Sequence, residues 1–94
     1  MEVIEYTIEE LIDPTGILSG RRFEFLIVVM LDPDDELFEE KGTGLRVLHS
    51  VEEEPGKIAA YHFFDRATGD TFDFQMEDEE FELIEQFCQT HYEE

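Results

Sequence analysis

The chain has 94 residues, 41% of them apolar and nine of them phenylalanine, which suits one small domain with a core that needs neither disulfides nor a metal. Twenty-six acids against six bases give a formal charge of −20; this speaks against nucleic acid or an anionic membrane surface as a ligand and for a basic protein or other cationic partner. No apolar run approaches the ~20 residues that span a bilayer.

The opening "MEVIEYTIEE" carries acids where an export signal needs positive charge, and Cys88 is the sole cysteine, so a reducing, cytoplasmic setting is expected. Residues 3 to 11 set Ile4, Tyr6 and Ile8 on one face against Glu5, Thr7 and Glu9, which predicts a strand. The loop "DPTGILSG" leads to residues 22 to 31, apolar on both faces after Glu24, as in a strand covered on both sides or central in its sheet.

The stretch "LDPDDELFEEKG" resembles a calcium loop, because Asp32, Asp34 and Glu36 alternate. Such a loop needs Gly at its sixth position and a bidentate Glu at its twelfth. Counted from Asp32, those positions are Leu37 and Thr43. The calcium reading fails, and a solvated turn is expected, with Asp34, Asp35 and Glu36 opening it and Leu37 and Phe38 tucked inward.

Strands follow at 44 to 51, 57 to 65 and 70 to 76, the last alternating as Phe72, Phe74 and Met76 inward with Asp73 and Gln75 outward. In "EEPGK", Pro55 and Gly56 suit the centre of a turn that sets Glu54 opposite Lys57, whether as a two-residue or a four-residue loop. Extended, that register pairs Val47 with Phe64, Val51 with Ala60 and Arg46 with Asp65, apolar against apolar and charge against opposite charge. "RATGD" predicts a three-residue hairpin loop with Gly69 left-handed, which sets Phe64 beside Phe72 and His62 beside Phe74.

One face of this unit then carries Leu45, Val47, His49 and Val51 with Ala60, His62 and Phe64 and the inward side of the last strand. Residues 78 to 92 cover it as a helix, with Phe81, Ile84, Phe87, Cys88 and His91 at helical spacing and Asp78 as the N-cap. The predicted fold is α+β: a five-stranded antiparallel meander with one C-terminal helix packed on one face. Leu26, Val28, Met30, Leu48, Ala59, Tyr61 and Phe63 fall on the other face, covered by the loop through Ile17 and Leu18 or used as a protein interface, a homodimer's among them.

The same register gathers every histidine and the cysteine. His49 faces His62, and Cys88 and His91 sit three apart on the helix above them, a donor set that a transition metal accepts. The spacing repeats no specific ligand motif, and buried histidines with hydrogen-bond partners, or a cysteine acting as a small apolar side chain, are commoner. No catalytic residue and no cofactor site is predicted: "GTG" lacks the context of a phosphate loop, and Cys88 lies among acids on an apolar stripe. Arg21 and Arg22 form the one basic spot and are expected to pair with neighbouring acids.

The opening "YTIEELIDPTGILSGRRFEF" and the closing "FELIEQFCQTH" resemble a family of short acidic bacterial proteins catalogued only as a domain of unknown function. The resemblance rests on the Asp-Pro-x-Gly loop, the Gly-Arg-Arg step and the acidic C-terminal helix, and covers nearly the whole chain. It implies a stand-alone cytosolic protein of Gram-positive bacteria, with no activity or site residues to carry over. The reading that follows is a non-enzymatic interaction or regulatory module for a basic or cationic partner. The alternative is a transition-metal protein using His49, His62, Cys88 and His91.

Mutual repulsion of so many carboxylates opposes folding at low ionic strength. The melting temperature is therefore expected to rise between about 0.01 and 0.3 M NaCl; a fall over that range in calorimetry contradicts it.

Overall fold

The computed structural model describes residues 1–12, 15–16 and 20–93. Five strands, β1 (Glu2–Leu11), β2 (Arg21–Met30), β3 (Thr43–Val51), β4 (Lys57–Phe64) and β5 (Thr71–Phe72), precede one helix, α1 (Asp78–His91). The strands pair in chain order, each antiparallel to the next. This is the five-stranded meander with a C-terminal helix that the sequence predicts. No helix among the described residues is long and apolar enough to cross a membrane.

The centre of the sheet follows from "RFEFLIVVM". Phe23, Phe25, Ile27 and Val29 all turn to the helix side and are buried, facing His49, Val47, Leu45 and Thr43 of β3 in turn. Above them α1 contributes Ile84 and Cys88, both fully buried. Aromatic contacts fix the helix's course: Phe81 meets Tyr61 of β4 at 6.0 Å between ring centroids, while Phe87 meets Tyr6 of β1 edge-on at 4.8 Å. The helix thus crosses the sheet from β4 to β1. Its cap lies one residue before the predicted one: Glu77 is the N-cap, and the Glu80 carboxylate accepts from the Glu77 N–H at 3.0 Å.

Strand β4 departs from the predicted register. The turn runs from Glu53 to Gly56, whose N–H donates to the Glu53 carbonyl at 2.9 Å, so Glu54 and Pro55, joined by a cis peptide bond, occupy its centre. The first pair is Ser50 with Lys57, followed by His49 with Ile58. Then the ladder shifts, and Leu48 pairs with Ala60. Ala59 is the extra residue of a β-bulge, and beyond it every side chain of β4 changes face.

Ile58, Tyr61 and Phe63 therefore pack toward the helix. Val47 lies opposite Tyr61 rather than Phe64, and Arg46 opposite His62 rather than Asp65. Arg46 instead donates to Glu24 from Nε at 2.9 Å. Phe64 lies on the other face, against Gly44, where a Cβ would come within 2.5 Å of its ring.

A second bulge, at Ile4 of β1, has the same effect. Val3 joins Tyr6 and Ile8 against the core, and Ile4 is half exposed on the far face.

The last hairpin closes on Asp65 and Asp70 around four residues rather than three, with Gly69 left-handed as expected (φ 82°). Phe72 pairs with Phe63. The strand then ends, five residues short of the helix, because the chain must leave the sheet plane to reach the layer above. Met76 arrives buried, its N–H donating to the Tyr61 hydroxyl at 2.8 Å, but Phe74 stays 47% exposed, contrary to its predicted inward place.

Between β2 and β3 the acidic stretch is a pair of turns. The Asp35 carboxylate accepts from the Leu37 N–H at 2.9 Å, and Leu37 is buried under the Thr43 hydroxyl, which donates to the Leu37 carbonyl at 2.6 Å. Asp32, Asp34, Asp35 and Glu36 lie in solvent, and Phe38 is half-buried. Ile17 and Leu18 lie outside the described residues.

Ile84 fills the centre of the helix–sheet contact, so Ile84→Ala is expected to cost about 2–5 kcal/mol. Leu83, next in sequence and 44% exposed, is the control: Leu83→Ala changes stability by no more than about 0.5 kcal/mol in urea titration. Equal effects would show that the helix is rotated.

Candidate functional site

The bulge at Ala59 decides the fate of the predicted imidazole and thiol cluster. His49 and Cys88 point into the core from opposite layers and are both fully buried. His62 follows the bulge, so it stands opposite Arg46 on the helix-free face, on the far side of the sheet from His49. His91 ends the helix: its Nδ1 donates to the Phe87 carbonyl at 2.7 Å, its ring stacks on Phe87 at 4.2 Å, and it meets the Tyr6 ring at 5.3 Å. The four do not share one interior. Among the described residues, no three of His, Cys, Asp and Glu converge as a metal requires.

What remains is chemically quiet. Burial pushes the Cys88 thiol up to about 12, with the Glu85 charge acting the same way, so no thiolate forms near neutral pH. The His49 Nε2–H donates to the Pro55 carbonyl at 3.0 Å, and the ring packs between Phe25 and Tyr92. Burial holds its pKa below the ordinary value, against the smaller upward pulls of that hydrogen bond and of Glu85. His49 is a neutral core histidine that ties the β3–β4 turn to the sheet.

Of the basic spot, Arg21 pairs with acids as expected. Arg21 holds Glu10 through two hydrogen bonds of 3.1 Å, reaches Glu93 at 3.4 Å and lies over the Phe23 ring. The hydrogen bond from Arg21 keeps the Glu10 carboxyl below the usual carboxylate range.

At the opposite end of the sheet, Arg66 donates to the Lys41 carbonyl at 2.8 Å and to Glu5 at 3.1 Å, tying the last hairpin to the β2–β3 turns and to β1. Beside it the Glu39 carboxyl is pushed up, first by burial and then by the charge of Asp65, with which it also shares a hydrogen bond. Nothing in the spacing of residues 39 and 65 signals that pair; it exists because two loops meet.

The helix-free face keeps Leu26 41% exposed, with Leu48 and Phe64 half-buried beside it. Tyr61 and Phe63, assigned to this face from sequence, belong to the other.

The profile of a family of unknown function, DUF6509, matches residues 1–94. The chain belongs to that family. No curated protein and no solved structure matches the chain. Membership agrees with the resemblance in the terminal motifs and brings no activity with it, so the side chains of this family member carry the functional argument alone.

Folding keeps His49 neutral while the unfolded chain protonates at the ordinary value near 6.5. Between that value and the depressed folded one, the unfolded state binds the extra proton, so stability falls as pH drops below about 6.5, at no more than about 1.4 kcal/mol per pH unit. His49→Gln retains a donor for the Pro55 carbonyl and removes the titration. Its loss of stability between pH 7.5 and 5.5 is expected to be smaller than that of the unsubstituted protein; parallel losses in denaturant titrations contradict a buried neutral His49.

Proposed function

We propose that the protein is a non-enzymatic interaction module that engages a basic protein through its acidic surface. The observation that carries this reading is the disposition of the few cations. Arg21, Arg46 and Arg66 each bond a glutamate of the chain itself. Of the acids left over, two groups project from turns: Asp32, Asp34, Asp35 and Glu36 at one end of the sheet, and Glu52, Glu53 and Glu54 at the other.

Such turns hold negative charge in solvent, outside the hydrogen-bonded sheet, where a field of one sign speeds encounter with an opposite charge. The interior offers little for catalysis: its thiol is held protonated, and its imidazole is engaged with a carbonyl inside the core. A basic partner bound in this way is released by salt, because ions screen exposed charges over roughly 8–10 Å at physiological strength.

The test is retention from an extract of the source cells on the immobilised protein. Basic proteins are expected to be held at low salt and released by about 0.5 M NaCl. Retention should drop when Glu52, Glu53 and Glu54 are replaced by Gln, or when Asp32, Asp34 and Asp35 are replaced by Asn. A bare column at every ionic strength, or a retained set indifferent to both replacements, removes the reading.

A further inference from the structure

The sheet has an uneven edge. Strand β5 pairs with β4 at two positions, Phe63 with Phe72 and Phe64 with Thr71. From Ile58 to His62, β4 has no strand on its outer side among the described residues. Five residues at ~3.3 Å each give roughly 16 Å of edge, the length of an average strand.

The chain after Phe72 turns up to the helix and leaves a groove of about 380 Å³ beside this edge, lined by Ile58, Ala60, Tyr61, Phe72, Phe74 and Phe81 among others. Phe74, 47% exposed, is the largest side chain it presents to solvent. Ala59 and Ala60, in the middle of the open stretch, are exposed and small, so these two positions put no bulky side chain in the way of an added strand.

We propose that this edge of β4 is a strand-addition site for an extended basic segment of the partner protein. The inference rests on the reading of the protein as a module for basic partners and says where the partner binds. An added strand would hydrogen-bond to the outward amides and carbonyls of β4 beyond Ile58, whose N–H the Glu85 carboxylate already holds. Its alternate side chains would lie against Tyr61, Phe72 and Phe81 on the helix side or against Ala60 and His62 on the other.

Charge selects the occupant. Asp73 lines the groove, and the Glu85 carboxylate sits at its Ile58 end, accepting from the Ile58 N–H at 3.1 Å. Lysine or arginine on the incoming strand meets carboxylates at both places. A second copy of this chain brings another −20 to the same edge and is opposed by repulsion. Open edges usually invite self-pairing; here the net charge works against it.

The experiment is an amide NMR titration of the whole protein at low salt with three blocked hexapeptides: alternating lysine and valine, alternating glutamate and valine, and alternating lysine and proline. The proline peptide keeps the charge but lacks half the strand's donors. The lysine–valine peptide is expected to shift the amides of residues 58 to 62 and slow their exchange. The other two should bind at least about tenfold more weakly. Phe74→Ser, and separately Asp73→Asn with Glu85→Gln, should each weaken the lysine–valine peptide by about fivefold or more.

If the lysine–proline peptide binds as tightly, with shifts over residues 32 to 36 and 52 to 54, the edge proposal is overturned while the basic-partner reading stands. If neither lysine peptide binds, both fall. Shifts along β1 instead, or concentration-dependent shifts at residues 58 to 62 without peptide, overturn the proposal in favour of the other edge or of a second copy.

Discussion

The fold depends on one contact: the apolar side of α1 laid across the middle of β2 and β3. Ile84 and Cys88 meet a surface built by Phe25, Ile27, Leu45 and Val47, and all of them are removed from water. Burying a side chain such as Ile or Phe is worth about 1.5–3 kcal/mol, so this layer offsets the self-repulsion of the acids around it. It also dictates the chain's path. Because the helix must start over β4 and end over β1, β5 is cut to two residues, Phe74 is left in solvent, and the edge of β4 stays open.

Where a strand sits in the middle of this contact, its faces were legible in the sequence. β2 is apolar on both faces after Glu24, and β3 alternates, so the pattern places Leu45, Val47, His49 and Val51 inward, where they lie. The helix was legible for the same reason, since Ile84, Phe87 and Cys88 recur at its period. At β1 and β4 the period-two reading failed, and for one physical cause. A bulge inserts a single residue and flips the rest of the strand. In β4 the apolar side chains on both faces make either parity look acceptable, so the pattern gave no warning.

The two bulged strands share a spacing. Val3, Tyr6 and Ile8 pack inward from β1, as Ile58, Tyr61 and Phe63 do from β4. In each, an apolar residue is followed three later by tyrosine and two later by another apolar residue, and each tyrosine ring meets a phenylalanine of α1. A gap of three before a gap of two is what one inserted residue produces in a strand. That signal was present in "VIEYTI" and "IAAYHF", but strict alternation reads past it. The predicted metal cluster failed at the same place, because His62 lies beyond the bulge and His49 lies before its partner strand shifts.

The two edges of the sheet are protected by different means. β1 runs its full ten residues with Glu2, Glu5, Glu9 and Glu10 along it, and charged side chains on an edge oppose pairing with another chain. The open part of β4 carries Ile58, Ala59, Ala60, Tyr61 and His62 instead, with no acid of its own, so its backbone is guarded only by carboxylates from neighbouring segments. A strand with acidic side chains is repelled at both edges, whereas a basic strand is repelled at neither, and β4 adds an aromatic groove beside its backbone. If the proposed strand addition holds, the surplus of acid and the missing length of β5 act on the same event: one sets which sign of chain approaches, the other where its backbone finds partners.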